Sequence, residues 1–440
     1  MNLAESAALK LAAREQGWEE TGDPGKADLI LLNTCSVRLT AEERVLGRFA
    51  HYAALKKKGG SFTLVAAGCM AQRLGESLKE RFPAVDYVMG TSGRSFFPRI
   101  LEAAEKGSCA IETDEKPDFS FSSSHLEEGS FRSFIPIMHG CNNFCSYCIV
   151  PYVRGREVSR DPLDILKEIK LVAEKGVREI TLLGQNVNSY LWEGNSSVPS
   201  QNLAAAKRYN FPDLLKLIAE EVRNTPIRWI RFLSSHPKDL CDETIRVMAE
   251  NPVYCRHLHL CVQSGSNGVL KAMNRYYTRE QYLELADKLR KAMPGLTLST
   301  DILIGFPGET EDDLEQTLDL MEEVKFLYSY MYHYNPREGT AAYDLPDRIP
   351  EAVKRKRLDR VIRLQKRHTA ELLAGSLGSE VNVLIEGISK KNADELITRT
   401  ERDEMAAVKG EKSWIGHFGC LKLDSLKGNT FRARELRLLD

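Results

Sequence analysis

Between residues 134 and 334, short apolar runs of strand character alternate six times with helical stretches, and that rhythm restricts the fold more than any other feature of the chain. The strand candidates are residues 134–138, 179–183, 229–233, 257–262, 298–304 and 327–334. Helical stretches lie between them; residues 162–175, for example, have Asp161 as cap, Pro162 at the first helical position and Gly176 as the stop. Six consecutive βα units predict an incomplete (β/α) barrel, whose chemistry gathers at the carboxyl ends of its strands. The polar clusters of this sequence fall at those ends. A cysteine loop follows the first strand, and Gly184, Gln185 and Asn186 follow the second. Ser234, Ser235 and His236 follow the third, and Gln263, Ser264 and Gly265 the fourth. The fifth runs through Asp301 to GFPGET at 305–310. Singly, each has an ordinary explanation: Thr310 as a helix cap, or His236 as a satisfied buried histidine. Five on one rim predict a large polar ligand lying across the barrel mouth.

The loop HGCNNFCSYCIVPYVRGREVSR, 139–160, places Cys141, Cys145 and Cys148 within eight residues, in a CxxxCxxC spacing that fits no usual zinc or disulfide pattern. Cubane iron-sulfur clusters ordinarily take four cysteines, so three leave one iron open to a small molecule. The competing reading is a zinc site with His139 as fourth ligand. The spacing resembles the signature of the radical S-adenosylmethionine enzymes, in which the open iron chelates the methionyl amino and carboxylate groups.

At 440 residues the chain is too long for one ordinary core, and 42% hydrophobic with 28% charged residues is a globular composition. A formal net charge of -1 gives no general attraction to nucleic acid or membrane, so such partners must be argued from local patches. Ten cysteines in so long a chain are not a disulfide scaffold. No secretory segment opens the chain and no apolar run would span a bilayer, so a cytosolic protein is expected, with its clustered cysteines serving metal or catalysis.

Residues 1–116 read as a separate parallel α/β layer: a helix over 3–16 stopped by Gly17, then strands at 29–32, 62–66 and 87–89. Cys35 and Cys69 follow the first two of these strands, where ligands of such sheets collect. Either alone would pass for a small buried hydrophobe, whereas two at equivalent strand ends suggest a shared metal or cluster. Cys109 follows a helical stretch and reads as a bystander. A layer of this kind is expected to start with a strand, yet the sequence opens on a helix. A linker rich in serine and acidic residues, 117–130, leads to the barrel domain, 131–370.

Near the end of that domain KRKRLDRVIRLQKRH, 354–368, is densely cationic, and Lys354, Arg355, Arg357, Arg360 and Arg363 are candidates for phosphate contacts, against the ordinary reading of a solvated helix face. Residues 377–440 change to short alternating runs at 381–385, 397–399, 406–408, 421–423 and 431–436, which suggest a small β-barrel of the oligonucleotide-binding kind.

The loop together with LLGQNVNSY (182–190), SSHPKD (234–239), VQSGSN (262–267), MNRYYTRE (273–280) and STDILIGFPGETEDD (299–313) resembles the methylthiotransferases, radical S-adenosylmethionine enzymes with two iron-sulfur clusters. LLGQNVNSY and SSHPKD most resemble the branch acting on N6-dimethylallyladenosine in tRNA. The resemblance implies that Cys141, Cys145 and Cys148 hold the S-adenosylmethionine cluster. It also implies that rim residues around Gly184, Gln185 and Asp301, with Asn186, Ser234, His236, Gln263 and Ser264, hold the methionyl and nucleoside parts. VLIEG, SKK and IGHFG in the last segment resemble the TRAM domain, which implies tRNA binding. The second cluster would use Cys35 in NTCSVR and Cys69 in GCMAQ; the family's third cysteine belongs to a strand absent from this sequence, so the true start is expected upstream. Cys261 stands where the family usually has proline.

The implied reaction replaces an aromatic C–H of adenine by C–SCH3. Its site has no group acidic enough for ordinary acid-base activation, so no side-chain acid or base is expected. A reduced cluster would cleave S-adenosylmethionine to a 5'-deoxyadenosyl radical, and sulfur would come from the auxiliary 4Fe-4S cluster, methylated by a second S-adenosylmethionine. A flavodoxin or ferredoxin is the expected electron donor, and a monomer the expected state. The alternatives are a sister enzyme acting on threonylcarbamoyladenosine in tRNA or on a ribosomal protein aspartate, and a non-catalytic zinc-binding RNA module.

Overall fold

The computed structural model describes residues 2–36, 39–91, 93–106, 111–112, 121, 129–194 and 208–439. Most of the expected linker, and Cys109, lie outside the described residues. The chain divides into two compact units, one of residues 1–127, 138–160 and 337–340, the other of residues 128–137, 161–336 and 341–440.

In the first unit, Asn2–Glu15 forms the opening helix, and Gly17 beyond it takes a left-handed φ of 85°. A parallel sheet follows in the order Leu29–Thr34, Thr63–Gly68, Tyr87–Met89, Ile111–Glu112. The last pair is too short to leave a periodic signal and was not expected. The unbroken apolar run TLVAAG reflects burial on both faces. Leu64, Ala66 and Val88 pack with Phe49, Tyr52 and Leu78 on one side. Val65, Ala67, Tyr87 and Met89 pack with Leu9, Phe97 and Leu101 on the other. Both leading strands run two residues further than their apolar patterns, which carries them to the cysteines.

In the second unit, six parallel strands form two sheets. One holds Arg132–Pro136, Glu179–Leu183 and Trp229–Phe232, with Glu179–Leu183 in the centre; the other holds His257–His259, Thr297–Ile304 and Tyr328–His333 in that order. Parallel bridges Ile230 to Tyr254 and Ser235 to Leu260 join the sheets into the expected half-barrel. Helix ends follow the local chemistry. Asp161 accepts a hydrogen bond from Leu163 N at 2.8 Å, and Thr310 forms a capping box with Asp313. The helix Glu351–Ala374 leads to a closed five-stranded barrel of Glu380–Ser389, Asn392–Thr400, Met405–Lys409, Phe418–Lys427 and Thr430–Leu438. Its core of Val383, Ile385, Leu396, Leu421 and Phe431 is continuous with Leu327 and Leu373.

This small barrel docks at the amino ends of the half-barrel strands, through a buried cluster of charges around Glu179. Arg231 Nε donates to Glu179 Oε2 at 2.9 Å and its other nitrogens to the carbonyls of Thr400 and Glu401; Arg399 donates to Glu179 Oε1 at 2.7 Å and to Asp403 at 2.8 Å. The rim is therefore left at the opposite end. Among the described residues no helix is long and apolar enough to cross a membrane.

Candidate active site

The cysteine loop belongs to the first unit, and a two-residue antiparallel ladder, Met138–His139 against Val158–Ser159, closes its base. Gly140 has φ +76°, and a Cβ there would come within 2.0 Å of Arg156 O, so only glycine fits. Cys141 N donates to Gly155 O at 3.2 Å and Cys148 N to Cys145 O at 2.9 Å; Asn142 and Glu157 exchange backbone-to-side-chain bonds at 3.1 and 3.2 Å. Phe144 is held at φ 46° with the Arg156 guanidinium 4.3 Å from its ring centre. Cys145 is buried, Cys141 and Cys148 are half-buried, and none of the three is in a disulfide. Three soft donors on one tightly bonded loop, two of them open to solvent, form a set that fits a cluster with one uncommitted iron. His139, the alternative zinc ligand, is 2% exposed.

Cys35 and Cys69 directly follow Thr34 and Gly68, which are partners across the parallel ladder, so the two cysteines leave adjacent strands side by side. Thr34 Oγ1 donates to Ala67 O and accepts from Met70 N and Ala71 N, fixing the turn into the helix Cys69–Leu74. The helix Val150–Arg154, immediately after Cys148, lies on Cys69: Ile149 and Val153 pack against the thiol. Burial raises the Cys69 thiol above its usual range, opposed by the Arg154 guanidinium. Arg154 is buried too, but Glu5 and Cys69 beside it hold its charge in place. Two thiols and one buried cation fit two corners of an anionic cluster. The structure thus brings together both predicted cysteine sets through one helix.

The rim lies in the second unit. Ser234 and Gln263 both adopt left-handed backbone, φ 66° and 70°, a conformation that non-glycine residues rarely take. Asn186, 1% exposed, donates to Asp239 at 2.6 Å and accepts from His236 N at 3.3 Å. His236 Nδ1 accepts from Lys238 N, and burial, with Arg275 and Lys238 nearby, lowers its pKa to about 2. These hydrogen bonds weld the rim together, with the His236 ring neutral. Ser264 accepts from Ser266 N at 3.2 Å and lies 3.3 Å from Thr317 Oγ1; Gly265 beside it is demanded by close approach, since a Cβ would meet Gln316 O at 2.4 Å. Gly184 is buried and Gln185 half-buried at the end of the central strand.

Asp301 is the rim residue with the most surroundings that sequence reading missed. His259 Nε2 lies 3.5 Å from its carboxylate, while His259 Nδ1 and His257 Nε2 both lie 2.9 Å from Ser299 Oγ. Burial acts to raise Asp301, but His259 and Cys261 hydrogen bonds hold it below the usual carboxylate range. Asp301 pairs in register with Tyr330 and Ser299 with Tyr328, so one inner face carries two histidines, an aspartate and two tyrosines. The alternation in HLHLC and YSYMYH was the signal that could have disclosed this face.

The cationic helix divides. Lys354 is buried, with Nζ donating to Tyr334 O at 2.8 Å, and Arg357 is buried against Glu309, donating to its carbonyl at 2.9 Å and its carboxylate at 3.0 Å. Arg360 pairs with Glu311 and Glu315 at 2.5 and 2.6 Å. Arg355 is exposed, and Arg363 is exposed with Asp359 at 3.2 Å.

Residues 135–321 match the Radical SAM superfamily, 376–434 the TRAM domain, and 1–90 a family described as uncharacterized protein family UPF0004. The tRNA-2-methylthio-N(6)-dimethylallyladenosine synthase of Treponema pallidum (strain Nichols) is 49% identical, over 98% of this chain and 96% of that protein. The chain belongs to the tRNA-2-methylthio-N(6)-dimethylallyladenosine synthase family. The synthase of Treponema denticola is 48% identical over 98% of this chain and 97% of its own length; that of Clostridium botulinum (strain Langeland) is 40% identical over 98% and 93%. The family resemblance of the loop and rim motifs is thereby borne out, and so is the fold. The radical S-adenosylmethionine methyltransferase TsrM of Kitasatospora setae superposes with a TM-score of 0.58 at 16% identity, over 77% of this synthase-family chain and 73% of TsrM.

Proposed function

We propose that this protein inserts a methylthio group at carbon 2 of N6-dimethylallyladenosine beside the anticodon of tRNA. The observation that carries the reading is near-full-length likeness to synthases of that name, in a chain whose loop places three cysteines outside any disulfide. Cys141, Cys145 and Cys148 would hold the cluster that binds S-adenosylmethionine, with Cys35 and Cys69 contributing to a second. When bound, such clusters supply one-electron reduction and sulfur.

The chain's own residues bind, orient and exclude water. Gly184, Gln185, Asn186, Ser234, His236, Gln263, Ser264 and Asp301 form the rim that takes the methionyl and nucleoside parts. The welded Asn186, His236 and Asp239 set keeps that rim in one geometry and, being neutral at His236, adds no competing cation. Arg154 offsets negative charge at Cys69. Arg355 and Arg363, with the small barrel, are the RNA contacts on this reading, whereas Lys354, Arg357 and Arg360 act first as internal partners of Tyr334, Glu309, Glu311 and Glu315. Segments 1–116, 131–370 and 377–440 serve as sulfur donor, radical core and RNA module. A cytoplasmic monomer reduced by a flavodoxin or ferredoxin completes the reading.

The test is iron and acid-labile sulfide per chain after anaerobic reconstitution, with mass spectrometry of dimethylallyl-containing tRNA incubated with S-adenosylmethionine and reductant. About eight irons and a methylthio product are expected; about four, lost on replacing Cys141, Cys145 and Cys148, would leave radical chemistry without the second cluster. A colourless protein holding zinc and cleaving no S-adenosylmethionine would overturn the reading.

A further inference from the structure

We infer that Tyr276, with Lys238 beside it, is a stacking platform for an unpaired RNA base at the rim of the half-barrel; this rests on the tRNA reading above. In NRYYT, 274–278, the residues flanking Tyr276 turn inward. Arg275 donates to Cys261 O and Tyr277 to Val262 O, both at 2.6 Å, so the loop is bolted to the backbone of the rim. Tyr276 between them is 64% exposed. Its backbone sits at φ 59°, as does that of Asn274 at φ 60°. Asparagine tolerates that region; for a bulky aromatic it is an outlier, and glycine would adopt it without strain.

A large ring held outward in a strained conformation contributes little to the folded state, and strain of this kind persists where ligands are handled. The ammonium of Lys238, from the rim motif SSHPKD, lies 5.7 Å from the ring centre. Ring and cation together are what proteins present to single-stranded nucleic acid: bases stack on the ring and the charge meets the backbone phosphate. Loop nucleotides of RNA can be splayed out to reach such a ring.

The test uses the full-length reconstituted protein and a synthetic anticodon stem-loop containing N6-dimethylallyladenosine, read by fluorescence anisotropy together with the melting temperature. Tyr276→Gly is expected to weaken RNA binding about tenfold or more while leaving the melting temperature unchanged or higher. Tyr276→Trp should restore binding, and Lys238→Gln should weaken it and flatten its salt dependence. Wild-type binding retained in Tyr276→Gly, or a lowered melting temperature that Tyr276→Trp fails to restore, would overturn the platform and leave the tRNA reading standing. A wild-type protein that neither binds nor methylthiolates the stem-loop would overturn both.

Discussion

Glu5 and Arg154 form an ion pair of 2.6 Å across 149 positions of sequence, with only 6% and 5% of their side chains exposed. It ties the opening helix to the helix that follows Cys148, next to Cys69. Removing one partner strands the other charge in the interior. Glu5→Ala should therefore destabilise the first unit by about 3–5 kcal/mol, and adding Arg154→Ala should recover part of that loss. Urea denaturation of the three proteins checks it; a double variant as unstable as the sum of the singles would show that the two do not act as a pair.

Gly140→Ala should abolish assembly of the loop cluster. The added carbon has nowhere to go beside Arg156 O, and the left-handed backbone disfavours it independently. Iron content after reconstitution should fall by about four per chain while the far-ultraviolet circular dichroism stays as in wild type.

Glu179, 1% exposed, is the carboxylate on which Arg231 and Arg399 converge, and Arg132 Nε lies 3.0 Å away. Burial and the neighbouring Arg399 pull Arg132 down to about 10, a sign of how crowded these cations are. Glu179→Ala should cost several kcal/mol and free the small barrel to proteolysis. Limited trypsin digestion should release a fragment beginning at His368, after Arg367, in the variant and not in wild type.

The pH profile should slope on its acid side. Burial depresses His236 to about 2 and His257 to about 3, against an ordinary value near 6.5 in the unfolded chain. Between those values the unfolded chain binds more protons, so stability present above about pH 6.5 is lost as pH falls. Glu309 opposes this: burial raises it to about 7, so its contribution is lost as pH rises towards 7. His257→Asn should flatten the dependence of melting temperature on pH between about 4 and 6.5.

The half-barrel was legible because six apolar runs at regular spacing leave few other folds, and Asp161 and Thr310 cap helices as their chemistry requires. The cysteine loop stood out by its CxxxCxxC spacing, which by itself left a zinc site with His139 open. What the sequence hid was direction. A run such as KRKRLDRVIRLQKRH does not disclose that Lys354 and Arg357 turn inward, because a long cationic side chain can bury its stem when a carbonyl or carboxylate waits at its end. The polar inner face of His257, His259, Asp301 and Tyr330 was hidden for a different reason: histidine alternates with leucine, and tyrosine with serine and methionine, so the face shows only when the register of three strands is known. That the helix after Cys148 should rest on Cys69 depends on contacts some eighty residues apart, which no local pattern carries.

The small barrel meets the half-barrel at Glu179, the first residue of a strand whose last residue, Leu183, adjoins the rim. The four steps between them, at about 3.3 Å each, put roughly 13 Å between those two levels. A single nucleoside cannot touch both. An RNA engaging the two at once gains by having its second contact made within one molecule, and only if its own shape spans that interval. Size selection would then be a property of the scaffold's length, requiring no reading of bases beyond the one being modified.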